Sequence, residues 1–221
     1  MKKYLSPLPA VLLACVMASA AFAQELTGDA LAGEKKIAMC IGCHGIQGYQ
    51  ASFPEVYKVP MISGQGAKYI VSALSAYKKG DRKHPTMRGI AAGLSDKDIA
   101  DVAAYYEAHD KAAAAPAPGP AAAGSTQVTA LLQKGACVSC HGDNFSKPID
   151  PTYPKIAGQH ADYLFVTLKS YKTEGKATWG RSNPIMGGVA KQFSNAELKE
   201  LASYVSSLPG VLKTLPQAKF K

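Results

Sequence analysis

The hexapeptide Cys-x-x-Cys-His-Gly occurs twice in this 221-residue chain, as Cys40-Ile41-Gly42-Cys43-His44-Gly45 and Cys137-Val138-Ser139-Cys140-His141-Gly142, 97 residues apart. The likeness runs well past the motifs. Pro60, Gly64, Gln65, Tyr69, Leu74 and Tyr77 match Pro154, Gly158, Gln159, Tyr163, Leu168 and Tyr171 at an offset of 94. Pro85 and Met87 then match Pro184 and Met186 at an offset of 99. Two small insertions or deletions bring the halves into register, which marks a duplicated domain. Between them the stretch 111–126, with Pro116, Pro118 and Pro120 among alanines, lacks apolar periodicity and reads as a semi-extended linker. The expected organisation is a first domain over 24–110, the linker over 111–126 and a second domain over 127–221.

Each half repeats one order of elements. A short helix is predicted before the cysteines (29–37 and 127–134) and a middle helix over 67–79 and 161–172. A loop then carries Met87 or Met186, and a last helix opens at Ser95 or Ser194. Ser194-x-x-Glu197 is a capping box and Ser95-x-x-Asp98 resembles one. The last helix would bury Ile99, Val102 and Tyr105/Tyr106 in one half, and Leu198, Leu201 and Val205 in the other. Gly33 and Ala130 are expected to let the first and last helices cross closely. Nothing alternates as a strand does, so the class is all-α.

The first 23 residues describe an address. Lys2 and Lys3 precede an apolar stretch over 8–17, and Ala21-Phe22-Ala23 fits the small-x-small cleavage rule, so 1–23 is read as a signal peptide and the chain as periplasmic. Leu12-Leu13-Ala14-Cys15 offers a weaker lipoprotein alternative that would anchor the chain through Cys15; cutting there would leave a further apolar run at the new N-terminus. No other apolar run approaches the roughly 20 residues of a membrane span. The net charge of +9 falls to +7 once the two leader lysines are removed, and it is unevenly placed. Residues 24–110 hold ten basic and ten acidic side chains, residues 127–221 twelve and six. That asymmetry suits docking on an acidic protein face or peripheral association with anionic lipid. An exported chain rarely meets nucleic acid, which removes that reading of a basic protein.

In an exported protein, four cysteines by default mean two disulfides. The histidine after each pair changes the reading. Two thiols on one turn add to the two vinyl groups of a porphyrin, and the adjacent imidazole reaches the iron. Cys40, Cys43, Cys137 and Cys140 are therefore the expected attachment points of two covalently bound haem c groups, with His44 and His141 as axial ligands. A thioredoxin-like pair or a zinc site would use the cysteines differently. For the sixth position, Met87 lies 43 residues beyond His44 and Met186 45 beyond His141, each two residues after a proline. Thioether ligation opposite His raises the reduction potential. His84 and His160 compete for the role, but neither has a histidine at the matching position; with His109 they are expected to be structural or at the surface.

Pro60-Met61-Ile62-Ser63-Gly64 and Pro154-Lys155-Ile156-Ala157-Gly158 resemble the Pro-x-x-x-Gly loop of class I cytochromes c. That resemblance implies that the Pro60 and Pro154 carbonyls accept a hydrogen bond from the ligand histidines. The whole mature chain resembles the dihaem cytochrome c4 family, through Phe53-Pro54, Ile156-Ala157-Gly158-Gln159-His160-Ala161-Asp162-Tyr163-Leu164 and Asn183-Pro184-Ile185-Met186-Gly187-Gly188-Val189-Ala190. The first half departs from the pattern at Ser63, Gly66 and Thr86. The resemblance implies two tandem class I cytochrome c domains facing each other about a pseudo-twofold axis, with Tyr69 and Tyr163 lining the haem pockets. It also implies relay between a quinol-oxidising complex (the cytochrome bc1 complex) and a cbb3-type terminal oxidase.

Six-coordinate irons would leave no open position, so the expected function is single-electron relay without substrate chemistry. The alternatives are a cytochrome subunit of a periplasmic dehydrogenase and a dihaem peroxidase, which needs a vacant or labile iron site. The charge pattern adds that Lys169, Lys172 and Lys176 should matter more for docking than Lys78, Lys79 and Lys83.

Overall fold

The computed structural model describes residues 27–111 and 124–216. The expected signal peptide, the alternative site at Cys15 and most of the expected linker lie outside the described residues. The first half runs α1 (Ala30–Glu34), α2 (Ala38–His44), β1 (Gln50–Ala51), β2 (Tyr57–Lys58), α3 (Ala67–Lys79), β3 (Arg82–Lys83), α4 (Pro85–Ala92) and α5 (Asp96–Lys111). The second runs α6 (Thr126–Lys134), α7 (Val138–His141), α8 (Ala161–Lys172), β4 (Gly180–Arg181), α9 (Pro184–Ala190) and α10 (Asn195–Ser207).

The middle and last helices start where predicted, since local signals set their ends. Gly80, at φ +89, closes α3, and Ser194 with Glu197 forms the full capping box on α10. Three local expectations need correction. The helix before the first motif breaks after Glu34, and the chain turns through Ile37, a core residue only 4% exposed, before α2 restarts. Met87 and Met186 lie in short helices rather than loops; Pro85 and Pro184 take first-turn positions, where a missing N–H costs nothing. Four two-residue strands are present among the described residues, too short for alternation to show.

Helix faces meet as the apolar spacing requires. Ile99, Val102 and Tyr106 of α5 pack with Ile37, Ile70 and Leu74. In the second half, Leu198 and Leu201 of α10 pack with Leu131 and Phe193, and Val205 with Leu164 and Phe145. A Cβ on Gly33 would lie 2.1 Å from the Asp101 carbonyl oxygen, so only glycine permits this approach of α1 to α5. Ala130, its expected counterpart, is exposed. There α6 meets α10 through Leu131, side chain on side chain, and needs no small residue.

The halves face each other through reciprocal contacts of matched residues. β1 pairs with β2, whereas β3 pairs across the halves with β4, Arg82 opposite Arg181. Gln65 and Gln159 each bond the backbone of the other half, and Lys169 pairs with Glu55 at 2.6 Å. The shift in offset from 97 to 94 falls where the first half builds the β1–β2 hairpin. The shift from 94 to 99 falls in the longer loop between α8 and β4.

Candidate haem-binding site

A cavity of about 920 Å³ runs through both halves, and Cys40, Cys43, His44, Met87, Cys137, Cys140, His141 and Met186 all line it. α2 and α7 place the cysteines and histidine of each motif on successive turns at its wall. All four thiols are unpaired, so the disulfide reading does not hold. Burial pushes the Cys40 and Cys137 thiols up, the opposite of the acidic thiol that redox exchange uses. Among the described residues no three His, Cys, Asp or Glu side chains converge as a zinc site requires.

Each motif histidine is held from behind. His44 Nδ1 lies 2.8 Å from Pro60 O, and His141 Nδ1 3.1 Å from Pro154 O. A carbonyl only accepts, so Nδ1 carries the proton and Nε2 keeps its lone pair. Burial holds both imidazoles below their ordinary pKa, against the proline carbonyls that pull upward, which keeps them neutral. The proline loops are fixed in turn by the last helix: Gly64 N–H donates to Tyr106 O at 2.9 Å and Gly158 N–H to Val205 O at 3.0 Å.

Met87 packs in one cluster with Cys40 and Ile41, whereas Met39 is 68% exposed. The methionine helices are capped by equivalent residues. Asn183 Oδ1 accepts from Met186 N–H at 2.9 Å, and His84 Nδ1 accepts from Met87 N–H at 3.4 Å. His84 Nε2 then donates to Tyr57 Oη at 3.0 Å, so both its nitrogens are engaged. His160 precedes α8 and does not line the cavity. His109 stacks edge-on to Tyr105, ring centroids 4.6 Å apart.

Between the two motif walls lie Arg82, buried, and Arg181, half-buried. Arg82 donates to Tyr69 Oη at 3.3 Å; Arg181 donates to Tyr163 Oη and Thr167 Oγ1, both at 3.2 Å. Among the described residues neither guanidinium has a carboxylate partner, and Arg82 Nε is buried without a hydrogen-bond partner. Burial pushes the Tyr69 phenol up despite Arg82. Burial also pushes Tyr163 up, but Arg181 and Arg82 together outweigh it and bring that phenol down. Two unneutralised cations inside an apolar cavity call for anions there. A porphyrin brings two carboxylates, so the cavity, the thiols, the imidazoles and the two cations without counter-charges fit the same group. The sequence signal for these arginines is their match at offset 99, shared with the methionines; a lone arginine in a loop otherwise reads as a solvated charge.

Fold and site together define tandem class I cytochrome c domains, each built for one haem. The cytochrome c family model matches residues 30–109 and 121–209. Cytochrome c4 of Azotobacter vinelandii is 33% identical over 193 residues, 82% of this chain and 90% of that protein. A thiosulfate dehydrogenase electron acceptor of Stutzerimonas stutzeri is 31% identical over 211 residues, 90% of this chain and 92% of that protein. The structure of reduced recombinant cytochrome c4 from Pseudomonas stutzeri superposes with a TM-score of 0.58 at 30% identity, covering 82% of this chain and 100% of that one. This chain belongs to the dihaem cytochrome c4 family. It is an electron-transfer cytochrome with two covalently bound haem c groups.

Proposed function

We propose that the chain is a periplasmic carrier relaying single electrons from the cytochrome bc1 complex to a cbb3-type terminal oxidase. Cys40 and Cys43 attach one group and Cys137 and Cys140 the other. His44 with Met87, and His141 with Met186, supply the axial pairs, while Pro60 and Pro154 orient the histidines. One observation carries this reading: in both halves an imidazole bonded through Nδ1 to a proline carbonyl shares its cavity wall with a matched methionine. Iron porphyrin supplies a one-electron couple when bound. The protein's part is to keep the imidazoles neutral, offer a soft thioether opposite, and line the cavity with apolar side chains that exclude water. Arg82 with Tyr69, and Arg181 with Tyr163, would hold the porphyrin carboxylates.

The test is the optical spectrum of the oxidised holoprotein with a pyridine haemochrome count. Two haems per chain and a weak Met–iron band at the red end of the visible are expected, and Met87→Leu or Met186→Leu should each remove about half of that band. A band untouched by either substitution would refute the ligand assignment. Rapid hydrogen peroxide reduction by the half-reduced protein would refute relay without substrate chemistry.

A second reading has its own support. Besides the Stutzerimonas acceptor, the thiosulfate dehydrogenase TsdBA of Marichromatium purpuratum matches with a TM-score of 0.54 at 26% identity, over 77% of this chain and 36% of that one. Service to a periplasmic dehydrogenase predicts co-purification with a stoichiometric enzyme from native cells; a free shuttle predicts none.

A further inference from the structure

The two peptides that hold the motif histidines are each gripped from the opposite half. Pro60 O accepts from His44, and the N–H of the same Pro60–Met61 peptide donates to Gln159 Oε1 at 3.1 Å. Gln159 Nε2 donates back to Met61 O at 2.9 Å. The mirror arrangement holds in the other half. Pro154 O accepts from His141, Lys155 N–H donates to Gln65 Oε1 at 3.0 Å, and Gln65 Nε2 donates to Lys155 O at 2.9 Å. Both glutamines are 4% exposed. Each Oε1 also accepts the N–H of its own next residue, Gly66 or His160, at 3.0 Å, which locks the amide in place.

A peptide is one conjugated unit, so an acceptor on its N–H shifts electron density onto its carbonyl oxygen. A richer carbonyl draws harder on the histidine Nδ1–H, and the ring becomes a stronger donor through Nε2. A stronger donor favours the oxidised metal.

We propose that Gln65 and Gln159 are positioning residues that set ligand strength crosswise: Gln159 acts on His44, and Gln65 on His141. The relation rests on the axial roles given to these histidines above. It makes the contact between the halves part of each redox centre, beyond holding the halves together.

The experiment is a redox titration of holoprotein Gln159→Met and Gln65→Met, followed by NMR, with the centres assigned through Met87→Leu and Met186→Leu. Gln159→Met should raise the reduction equilibrium constant of the His44 centre about threefold, ~28 mV at 59 mV per decade, and leave the His141 centre in place. Gln65→Met should do the reverse. The His44 Nδ1–H proton should exchange faster in Gln159→Met only, a change that general loosening would not confine to one ring. Glu55→Gln, which cuts the Lys169 pair across the same boundary, should shift neither centre selectively. If Gln159→Met fails to fold, Gln159→Glu keeps an acceptor on the peptide N–H and should lower the His44 centre more than the His141 centre. Shifts at the glutamine's own centre, equal shifts at both, or none overturn the crosswise relation. Loss of the Met–iron band in the unaltered protein would instead strike the ligand assignment itself.

Discussion

Replacing Asp101 with alanine should unfasten the crossing of α1 and α5, the packing that leads the chain into the first Cys-x-x-Cys-His motif. The Asp101 side chain is 2% exposed. Its Oδ1 accepts from Asp29 N–H at 2.8 Å and from Lys97, and its Oδ2 accepts from Lys36 Nζ at 2.8 Å. Asp29 in turn caps α1, so one carboxylate ties helix cap to helix crossing. Alanine leaves the Asp29 N–H without its acceptor, a loss of ~1–3 kcal/mol. The lysines are 31% and 50% exposed, so solvent screens their pairing and they add little. A loss of about 2 kcal/mol at pH 7 follows. Its pH dependence has a definite sign. Lys36 first, then Lys97 and the Asp29 N–H, hold the carboxyl well below the ordinary carboxylate range. A depressed folded value means the stabilisation is present above the unfolded pKa of about 3.9 and fades as pH falls through the folded one. Guanidinium unfolding of holoprotein and variant, followed by circular dichroism at pH 7, 5 and 3, reads the gap directly. It should be equal at pH 7 and 5 and shrink at pH 3. A gap that is absent, or identical at pH 7 and 3, would refute the role given to this carboxylate.

Arg82→Met should lower the potential of the nearby centre by on the order of 1 kcal/mol, because a buried cation favours the reduced metal; spectroelectrochemistry measures it. The same change should stabilise the haem-free chain against heat, since Arg82 and Arg181 stand opposite each other on paired strands. Gly142, at φ +76, would place a Cβ 2.2 Å from Lys147 O, so Gly142→Ala should cost ~1–3 kcal/mol in thermal unfolding. Gly45→Ala should cost less, its backbone lying at φ −97. Docking by the basic half needs a corrected set of lysines, because Lys169 pairs with Glu55 and Lys172 bonds Phe193 O. Lys169→Gln should weaken the contact between the halves. Lys176→Gln and Lys199→Gln should each slow electron transfer to an acidic partner about twofold at low salt. Equal slowing by Lys79→Gln would remove the charge argument, Lys78 being set aside because it bonds Leu94 O.

Covalent and helical features were legible in the chain itself, because they depend on residues close in sequence. The motif places two thiols and an imidazole on adjacent turns whatever surrounds them. The spacing of Ile99, Val102 and Tyr106 selects a helix face, and Ser194 with Glu197 marks a helix start. Duplication extended this reach by pairing Met87 with Met186 from their shared offset. The helical setting of those methionines does not show in the sequence, because Pro85 and Pro184 look like loop residues until His84 and Asn183 are seen capping the turn. Only the tertiary structure brings Arg82 opposite Arg181, and the Pro60–Met61 peptide against Gln159, pairs separated by about 100 residues and a boundary between halves. Such contacts depend on how two finished surfaces meet, and no local propensity encodes that.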